Sequence, residues 1–432
     1  YLKQQLAYCY EKMGIVNRAL FYYGELIATG KYKHEDLYNY GELLLKNGQY
    51  EEAEQVYKAY MELEPDDMRA KLKLERIQGF ASISMLSLTD TVTLWEHNTR
   101  FSDMAPMYRN NELIFVSARD SSSNNTYSYN NQPFLDIYEF ETTRQGVSRI
   151  VKMNNVNTRY HEGPLSFTNQ GNSIWFTRNN QKYSRRDEEA TNNLKIYTSD
   201  WDGRRWTNER EFTLNSDTYS VGHPAFSPDG KTMYFASDML GSLGDTDLFR
   251  VSKVETVDSE GNRSYQWGEP QNLGSQINTK GKEMFPFVDA RGVLFFASDG
   301  LGGYGGLDIY VAFQQADTFS VINLGRPINS TYDDFGFIVS NDFEEGYFTS
   351  NRAGGVGDDD IYSFKVDMPE QTIRFVDERT GDLMKQVAVY IEPSEGEAFD
   401  LKTNNEGEIT FTVRHKLQYN FRFELDGWAT FT

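Results

Sequence analysis

A single cysteine, Cys9, stands among 432 residues. No disulfide can therefore form within the chain, and cysteine usage leaves the redox compartment open. Basic residues are scarce, 43 against 64 acidic ones, for a net charge of -21. Such a surface repels phosphate backbones and anionic headgroups, which argues against nucleic-acid binding and against a basic membrane patch. Long apolar runs are missing too. The longest candidate, Ile77 to Thr89, covers 13 residues and is rich in Ser, too short to span a bilayer. Leu6-Ala7-Tyr8-Cys9 falls short of a lipoprotein cleavage site, because Tyr8 is too large before the cysteine and no apolar segment precedes it. Cys9 is instead expected to pack inside a helix pair. Catalytic signatures are also wanting. There is no G-x-S-x-G elbow and no H-E-x-x-H pair, and the five histidines are scattered. Carboxylates are plentiful, but nothing in the sequence singles out an acid pair for glycoside cleavage.

What the chain has in quantity is aromatic side chains, 29 Phe and 28 Tyr, and they recur in a fixed phrase. A short strand ending in Ser or Thr is followed by a turn and by Asp-Ile-Tyr or a near copy. The strand ends are Ser117, Thr177, Ser237, Ser298 and Ser350, and the aromatic anchors are Tyr138, Tyr197, Phe249, Tyr310 and Tyr362. The anchors lie 59, 52, 61 and 52 residues apart. A period near fifty built only of strands predicts a β-propeller over residues 79–366, with five blades. The segment before Leu94 is expected to complete the ring with the last blade.

Residues 1–78 carry helical spacing, and their two halves superpose at an offset of 34. Ala7 maps to Gly41, Gly14 to Gly48, Ala19 to Ala53 and Tyr23 to Tyr57. That is the tetratricopeptide period, and small residues at these positions let paired helices approach closely. Two repeats and a trailing helix make a poor solenoid alone, so either further repeats precede them or the helices dock on the propeller. From residue 367 the pattern becomes alternating strands with Gly turns, which predicts a small β-sandwich over 367–432, short of its final strand.

Between the second and third strands of each unit, three loops measure 10 residues (237→247, 298→308, 350→360) and two measure 19 and 18 (117→136, 177→195). Both long loops occupy one repeat position in neighbouring units, so they leave the disc on one face, side by side. Insertions clustered on one face of a repeat protein mark a binding face. Tyr127, Tyr129 and Asn130 in the first and Arg185, Arg186 and Asp187 in the second are the candidate partner-binding residues, since Tyr and Arg anchor interfaces. Gly300-Leu301-Gly302-Gly303-Tyr304-Gly305 has a dinucleotide-type spacing but leads into a strand where a phosphate site needs a helix N-terminus. Asp247, Asp308 and Asp360 are repeat positions whose expected role is to bond the local turn. No catalytic residue, metal site or cofactor is assigned.

Pro224-Ala225-Phe226-Ser227-Pro228-Asp229-Gly230-Lys231, followed by Tyr234-Phe235-Ala236-Ser237-Asp238 and Asp247-Leu248-Phe249, closely resembles the repeat of TolB-type periplasmic propellers. Residues 371–432, with Asp377, Thr380-Gly381, Asn405, Gly407 and Gly427, look like the carboxypeptidase-regulatory-type sandwich. Tetratricopeptide, propeller and sandwich in this order resemble the PorE-like proteins of Bacteroidetes, in which an OmpA-type peptidoglycan-binding domain follows. The resemblance implies a periplasmic, outer-membrane-associated lipoprotein of the type IX secretion or gliding machinery, and no enzyme. It implies an outer-membrane barrel of PorP/SprF type as partner, and attachment to peptidoglycan through a domain outside this chain. The alternative from another class is a glycan-binding or glycan-processing propeller of the cell envelope, which the Tyr and Trp content would permit.

Overall fold

The computed structural model describes residues 1–13, 15–77, 88–110, 112–120, 126–127, 130–142, 148–179, 192–257, 263–315, 318–366, 370–377, 380–393, 398–412 and 419–424. The chain separates into two compact units, Tyr1–Lys365 and Val366–Thr432.

Five helices open the first unit: α1 (Leu2–Lys12), α2 (Val16–Ile27), α3 (His34–Lys46), α4 (Tyr50–Leu63) and α5 (Met68–Ile77). The 34-residue offset has a direct structural meaning. Ala7, Ala19 and Tyr23 are buried in the first helix pair, as Gly41, Ala53 and Tyr57 are in the second. A Cβ at Gly41 would come to 3.0 Å from the Tyr57 ring, so the smallest side chain is what lets α3 and α4 close on that aromatic. Cys9, expected inside the helix pair, is exposed. Ala7 makes the inter-helix contact, and a residue two positions later on α1 points to the opposite side.

The β portion of the first unit consists of antiparallel sheets in which, Val92–Leu94 and Gln271–Asn272 apart, each strand is hydrogen-bonded to the next in sequence. The first is Asp103–Arg109, Glu112–Ser117, Asp136–Thr142 and Ser148–Lys152, and the second Glu162–Thr168, Ser173–Asn179, Leu194–Trp201 and Trp206–Glu211. The third is Val221–Phe226, Thr232–Ser237, Asp247–Val257 and Arg263–Trp267, with Gln271–Asn272 also pairing the long third strand. The fourth is Glu283–Val288, Leu294–Ser298, Asp308–Gln315 and Thr318–Asn323. The fifth takes Asp334–Val339, Glu345–Ser350 and Asp360–Lys365 and is completed by Val92–Leu94 from before the first sheet. Each sheet's first strand lies beside the first strand of the next, and that of the fifth lies beside that of the first.

The repeated aromatic phrase is a cross-strand pair. Phe115 faces Tyr138, Phe176 faces Tyr197, Phe235 faces Phe249, Phe296 faces Tyr310 and Phe348 faces Tyr362 in register. All five pairs stack, at centroid distances from 5.6 to 6.1 Å, each worth about 0.5–1.5 kcal/mol beyond burial.

A second repeat lies in the linkers. Asn98, Asn157, Asn215, Asn278 and Asn329 each bond both backbone groups of one residue in a third strand. The partners are Ile361, Ile137, Ile196, Leu248 and Ile309, at 2.7–2.9 Å. The side-chain amide thus continues the pairing of the third strand past the end of its outer neighbour.

In the second unit, Glu370–Arg374 pairs with Glu408–Thr412, and Ala388–Pro393 is flanked by Phe399–Lys402 and Tyr419–Glu424. Val389, Ile391, Ile409 and Phe411 form a shared apolar cluster drawn from both sheets.

Candidate binding face and ring cavity

Strand direction sorts the connections. The loops between second and third strands and the linkers to the next sheet emerge on one face, and the other turns emerge on the opposite one. Both long loops therefore leave from the loop face. So does the surface that receives the helices. Lys73 of α5, 1% exposed, bonds Gly305 O and pairs with Glu42 at 3.2 Å. Lys46 of α3 pairs with Asp333 at 3.5 Å and sits over the Tyr332 ring. At Gly302, whose φ is +76°, an added Cβ would collide with Leu72, so this turn admits α5 only as glycine. The helices thus dock over the fourth and fifth sheets, while the long loops rise from the first and second.

Tyr127 and Asn130 lie at the rim of a cavity in this face. Tyr127 packs edge-on against His161, at 4.8 Å between centroids, and against Phe134. Asn130 accepts a bond from the Gln132 backbone N–H. Tyr129, Arg185, Arg186 and Asp187 fall outside the described residues. The first long loop is anchored from within: Gln132 Oε1 accepts from Ser102 N–H at 2.9 Å, and its amide donates to Asp358.

The cavity has a volume of about 340 Å³, and its wall includes Asn130, Gln132, His161, Glu162, His223 and Asp359. A second hollow, of about 540 Å³, runs between the helices and the ring, lined by Lys12, Lys46, Asp358 and others. The two share Ser102, Asn130 and Asp359. Deeper along the axis the space closes. The first strands all carry a bulge, and four of them place a Pro there, so that Pro106, Pro164, Pro224, Pro286 and Phe337 converge around a void of only about 20 Å³. Ala105, His223 and Phe285 reach this bulge in the left-handed region, at φ 49–53°, a conformation that costs non-glycine residues about 1–3 kcal/mol and persists only where its surroundings enforce it. The enforcement is visible. Ala105 N–H donates to Thr349 Oγ1, His223 N–H to Thr177 Oγ1, and Phe285 N–H to His223 Nδ1, at 3.0, 2.8 and 3.2 Å.

Four of the five first strands begin with a fully buried acid: Asp103, Glu162, Glu283 and Asp334. Each accepts from a Ser or Thr hydroxyl four residues earlier, on Thr99, Thr158, Thr279 or Ser330, at 2.7–2.8 Å. Three of the acids also hold an arginine: Arg119 on Asp103, Arg178 on Glu162 and Arg352 on Asp334. Those arginines lie over the aromatic pairs of their own sheets. Glu283 is held by the Thr279 and Ser298 hydroxyls and the Thr279 N–H. Burial pushes its carboxyl up to about 7, and does the same to Glu162. Asp247, Asp308 and Asp360 accept N–H bonds from the turns just before them. Among the described residues, no group of three His, Cys, Asp or Glu is arranged to hold a metal ion.

A pH prediction arises from Glu283. Its folded pKa lies above its unfolded one, so the unfolded chain ionises first. The native state loses stability as pH rises from about 4.5 to about 7, then levels. Glu283→Gln has no such proton. Urea denaturation at pH 5 and pH 8 is expected to show the variant gaining on the wild type by about 3 kcal/mol at the higher pH. A pH-independent difference would contradict this.

Sequence reasoning missed the linker asparagines and the buried acids. The signal was present as Asn-Ser/Thr at 98, 157, 215, 278 and 329, with an acid four residues after the hydroxyl in four cases.

Residues 34–77 match the tetratricopeptide repeat family. Comparison with curated proteins gives no match. Among solved structures, the chain is similar to a TolB from Agrobacterium tumefaciens, with 16% identity, 74% of this chain and 91% of that one covered, and a TM-score of 0.36. It is similar to a mutant puromycin hydrolase at 12% identity, covering 71% of this chain and 62% of that one, TM-score 0.34. It is similar to an α-L-arabinofuranosidase from Lactobacillus brevis at 11% identity, covering 67% and 95%, TM-score 0.37. No helix among the described residues is long and apolar enough to cross a membrane.

Proposed function

We propose that this chain is a non-enzymatic adaptor of the bacterial cell envelope. In this reading residues 79–366 are a five-bladed propeller, residues 1–78 a tetratricopeptide module and residues 367–432 a carboxypeptidase-regulatory-like sandwich. The adaptor holds an outer-membrane barrel of PorP/SprF type, within the type IX secretion or gliding machinery, in register with peptidoglycan. The wall is gripped by an OmpA-type domain outside residues 1–432, and the site of action is the periplasm beside the outer membrane. The order of modules supports the PorE-like assignment.

The observation that carries the adaptor reading is the sharing of one face. Helical repeats, which commonly serve as peptide and protein grooves, are fixed by Lys73, Lys46 and Leu72 onto the face from which both long loops emerge. A partner that touches one can reach the other. The buried acids support it further, because Asp103, Glu162 and Asp334 are bound to internal arginines and serve to join strands.

The test leaves Gln132 and Tyr127 in place, since both pack into the ring. The variant Tyr129→Ala, Arg185→Ala, Arg186→Ala, Asp187→Ala is expected to lower capture of an outer-membrane barrel protein from detergent-solubilised membranes at least about tenfold. Its melting temperature is expected to stay within about 2 °C of the parent's. Undiminished capture would remove the long loops from the interface.

A further inference from the structure

We propose that the turn between the second and third strands of the third sheet is a docking site for an amphipathic partner helix that carries a Leu-Lys pair. It is the open counterpart of the turn that holds α5. A helix docked here deepens the adaptor reading, on which it rests, yet testing it needs no outer-membrane protein, so either can fail without the other.

The three short turns of the loop face are built alike. Gly241, Gly302 and Gly354 stand at one repeat position, and all take a positive φ, at 100°, 76° and 95°. Further on, Gly244, Gly305 and Gly357 each donate N–H to the aspartate that opens the third strand, Asp247, Asp308 or Asp360, at 2.9–3.2 Å. Each of these glycines is pressed against the following linker, where an added Cβ would meet backbone at Gly281, Tyr332 or Phe101. What differs is what lies on top. Leu72 of α5 covers Gly302, and Lys73 bonds Gly305 O and pairs with Glu42 at 3.2 Å. At Gly241 and Gly354 an added Cβ would meet nothing within 4 Å.

Of the two open turns, the third sheet's carries the apolar half of the grip. Leu240 and Leu243 stand where the fourth sheet has Leu301 and Tyr304. Leu301 and Tyr304 are half-buried, whereas Leu240 is fully exposed and Leu243 is 52% exposed. Two leucines held in water on one short turn are apolar surface that a partner gains by covering. The fifth sheet has Ala353 in place of Leu240, and its Asp358 is engaged by the Gln132 amide.

The polar half is present as well. The carbonyl that corresponds to Gly305 O is Gly244 O. The residue after it is Asp245, which is exposed, where the fourth sheet has Gly306 and the carboxylate comes from Glu42 of α3. A helix that brings a leucine followed by a lysine therefore meets a carbonyl and a carboxylate at the third turn without a second helix to supply the acid. Asp238, exposed on the other side of the two leucines in sequence, adds negative charge and favours a basic helix. The same two acids oppose insertion of the leucines among anionic headgroups.

The experiment titrates the full chain with a stapled peptide of residues 66–77, which presents Leu72 and Lys73 as α5 does; the staple is needed because so short a helix is marginal in water. Fluorescence anisotropy is expected to give a Kd of about 100 μM or tighter. A photoreactive leucine at position 72 of the peptide is expected to cross-link within residues 239–245. Leu240→Ser with Leu243→Ser in the chain, and Lys73→Glu in the peptide, are each expected to weaken binding about tenfold or more. No binding, binding that ignores both changes, or cross-links confined to the fourth-sheet turn would overturn the proposal. So would capture of the chain by phosphatidylglycerol-containing vesicles through Leu240 and Leu243 in place of the peptide, or self-association of the chain that the double variant abolishes, because these assign the turn to a membrane or to a second copy.

Discussion

Replacing Arg178 with Met is expected to destabilise the first unit by about 3–5 kcal/mol, the usual cost of stripping the partner from a buried charge. Arg178 has no exposed surface. Its Nε donates to Glu162 Oε1 at 2.7 Å, and its Nη2 donates to Val156 O at 2.6 Å. Both terminal nitrogens reach Glu209, at 2.9 and 3.0 Å. The guanidinium also lies 4.9 and 4.8 Å from the centres of the Phe176 and Tyr197 rings. Met keeps much of the stem's packing, so the loss reports the charge and its bonds. Burial already raises the Glu162 carboxyl to about 7, with the arginine opposing that rise, so removing the arginine pushes it higher. The variant is therefore expected to lose less at pH 5, where the carboxyl holds its proton, than at pH 8. Urea midpoints at both values check the magnitude and the sign. A loss under about 1 kcal/mol, equal at both pH values, would mean that Arg178 does not stabilise Glu162.

The second large effect is expected at a linker. Asn329 is 1% exposed, and its amide bonds the N–H and C=O of Ile309 and also Asn323 Oδ1. Asn329→Ala leaves two backbone groups and one side-chain oxygen with fewer partners in a dry site. Ile309 O keeps the Leu324 N–H and Asn323 Oδ1 keeps the Gly325 N–H, so the Ile309 N–H is the group left unmatched, and a loss of about 3 kcal/mol is expected. Asn215→Ala breaks the same bidentate bond to Ile196, but in a half-buried linker where water can replace the amide, and about half that loss is expected. Equal losses in the two variants would mean that burial does not set the cost.

These positions also explain what could be read in advance. The aromatic phrase was legible because each Phe and its Tyr or Phe partner sit in adjacent strands of one hairpin, so a local pattern encodes a local contact. The 34-residue offset was legible for a similar reason, since Ala7, Ala19, Gly41 and Ala53 mark where helices touch. The linker asparagines looked like ordinary turn residues. Their partners lie 19 to 30 residues away, and for Asn98 the partner is Ile361, 263 residues distant. The Asn-Ser/Thr pair marks each linker position in the sequence but not the residue it bonds. The buried acids were hidden for a related reason, because an acid at the start of a strand reads as solvated until the neighbouring sheet covers it. Cys9 was placed on the wrong side of α1 because cysteine's general preference for burial outweighed the helical phase set by Ala7. Of the candidate site, the position of the long loops was legible from their lengths. The cavity was not, because His161 and His223, just before the blade-entry prolines Pro164 and Pro224, read as repeat-related loop residues.

Cross-linking mass spectrometry on the chain purified with its partner from native membranes tests the shared docking face most directly. Cross-links are expected from an outer-membrane barrel protein to Lys12, beside the hollow under the helices, and to Lys280, in a loop-face linker. Lys231, in the Ser227–Thr232 turn on the opposite face, is predicted to stay unlinked to it. Partner cross-links gathered at Lys231, with none at Lys12 or Lys280, would contradict it.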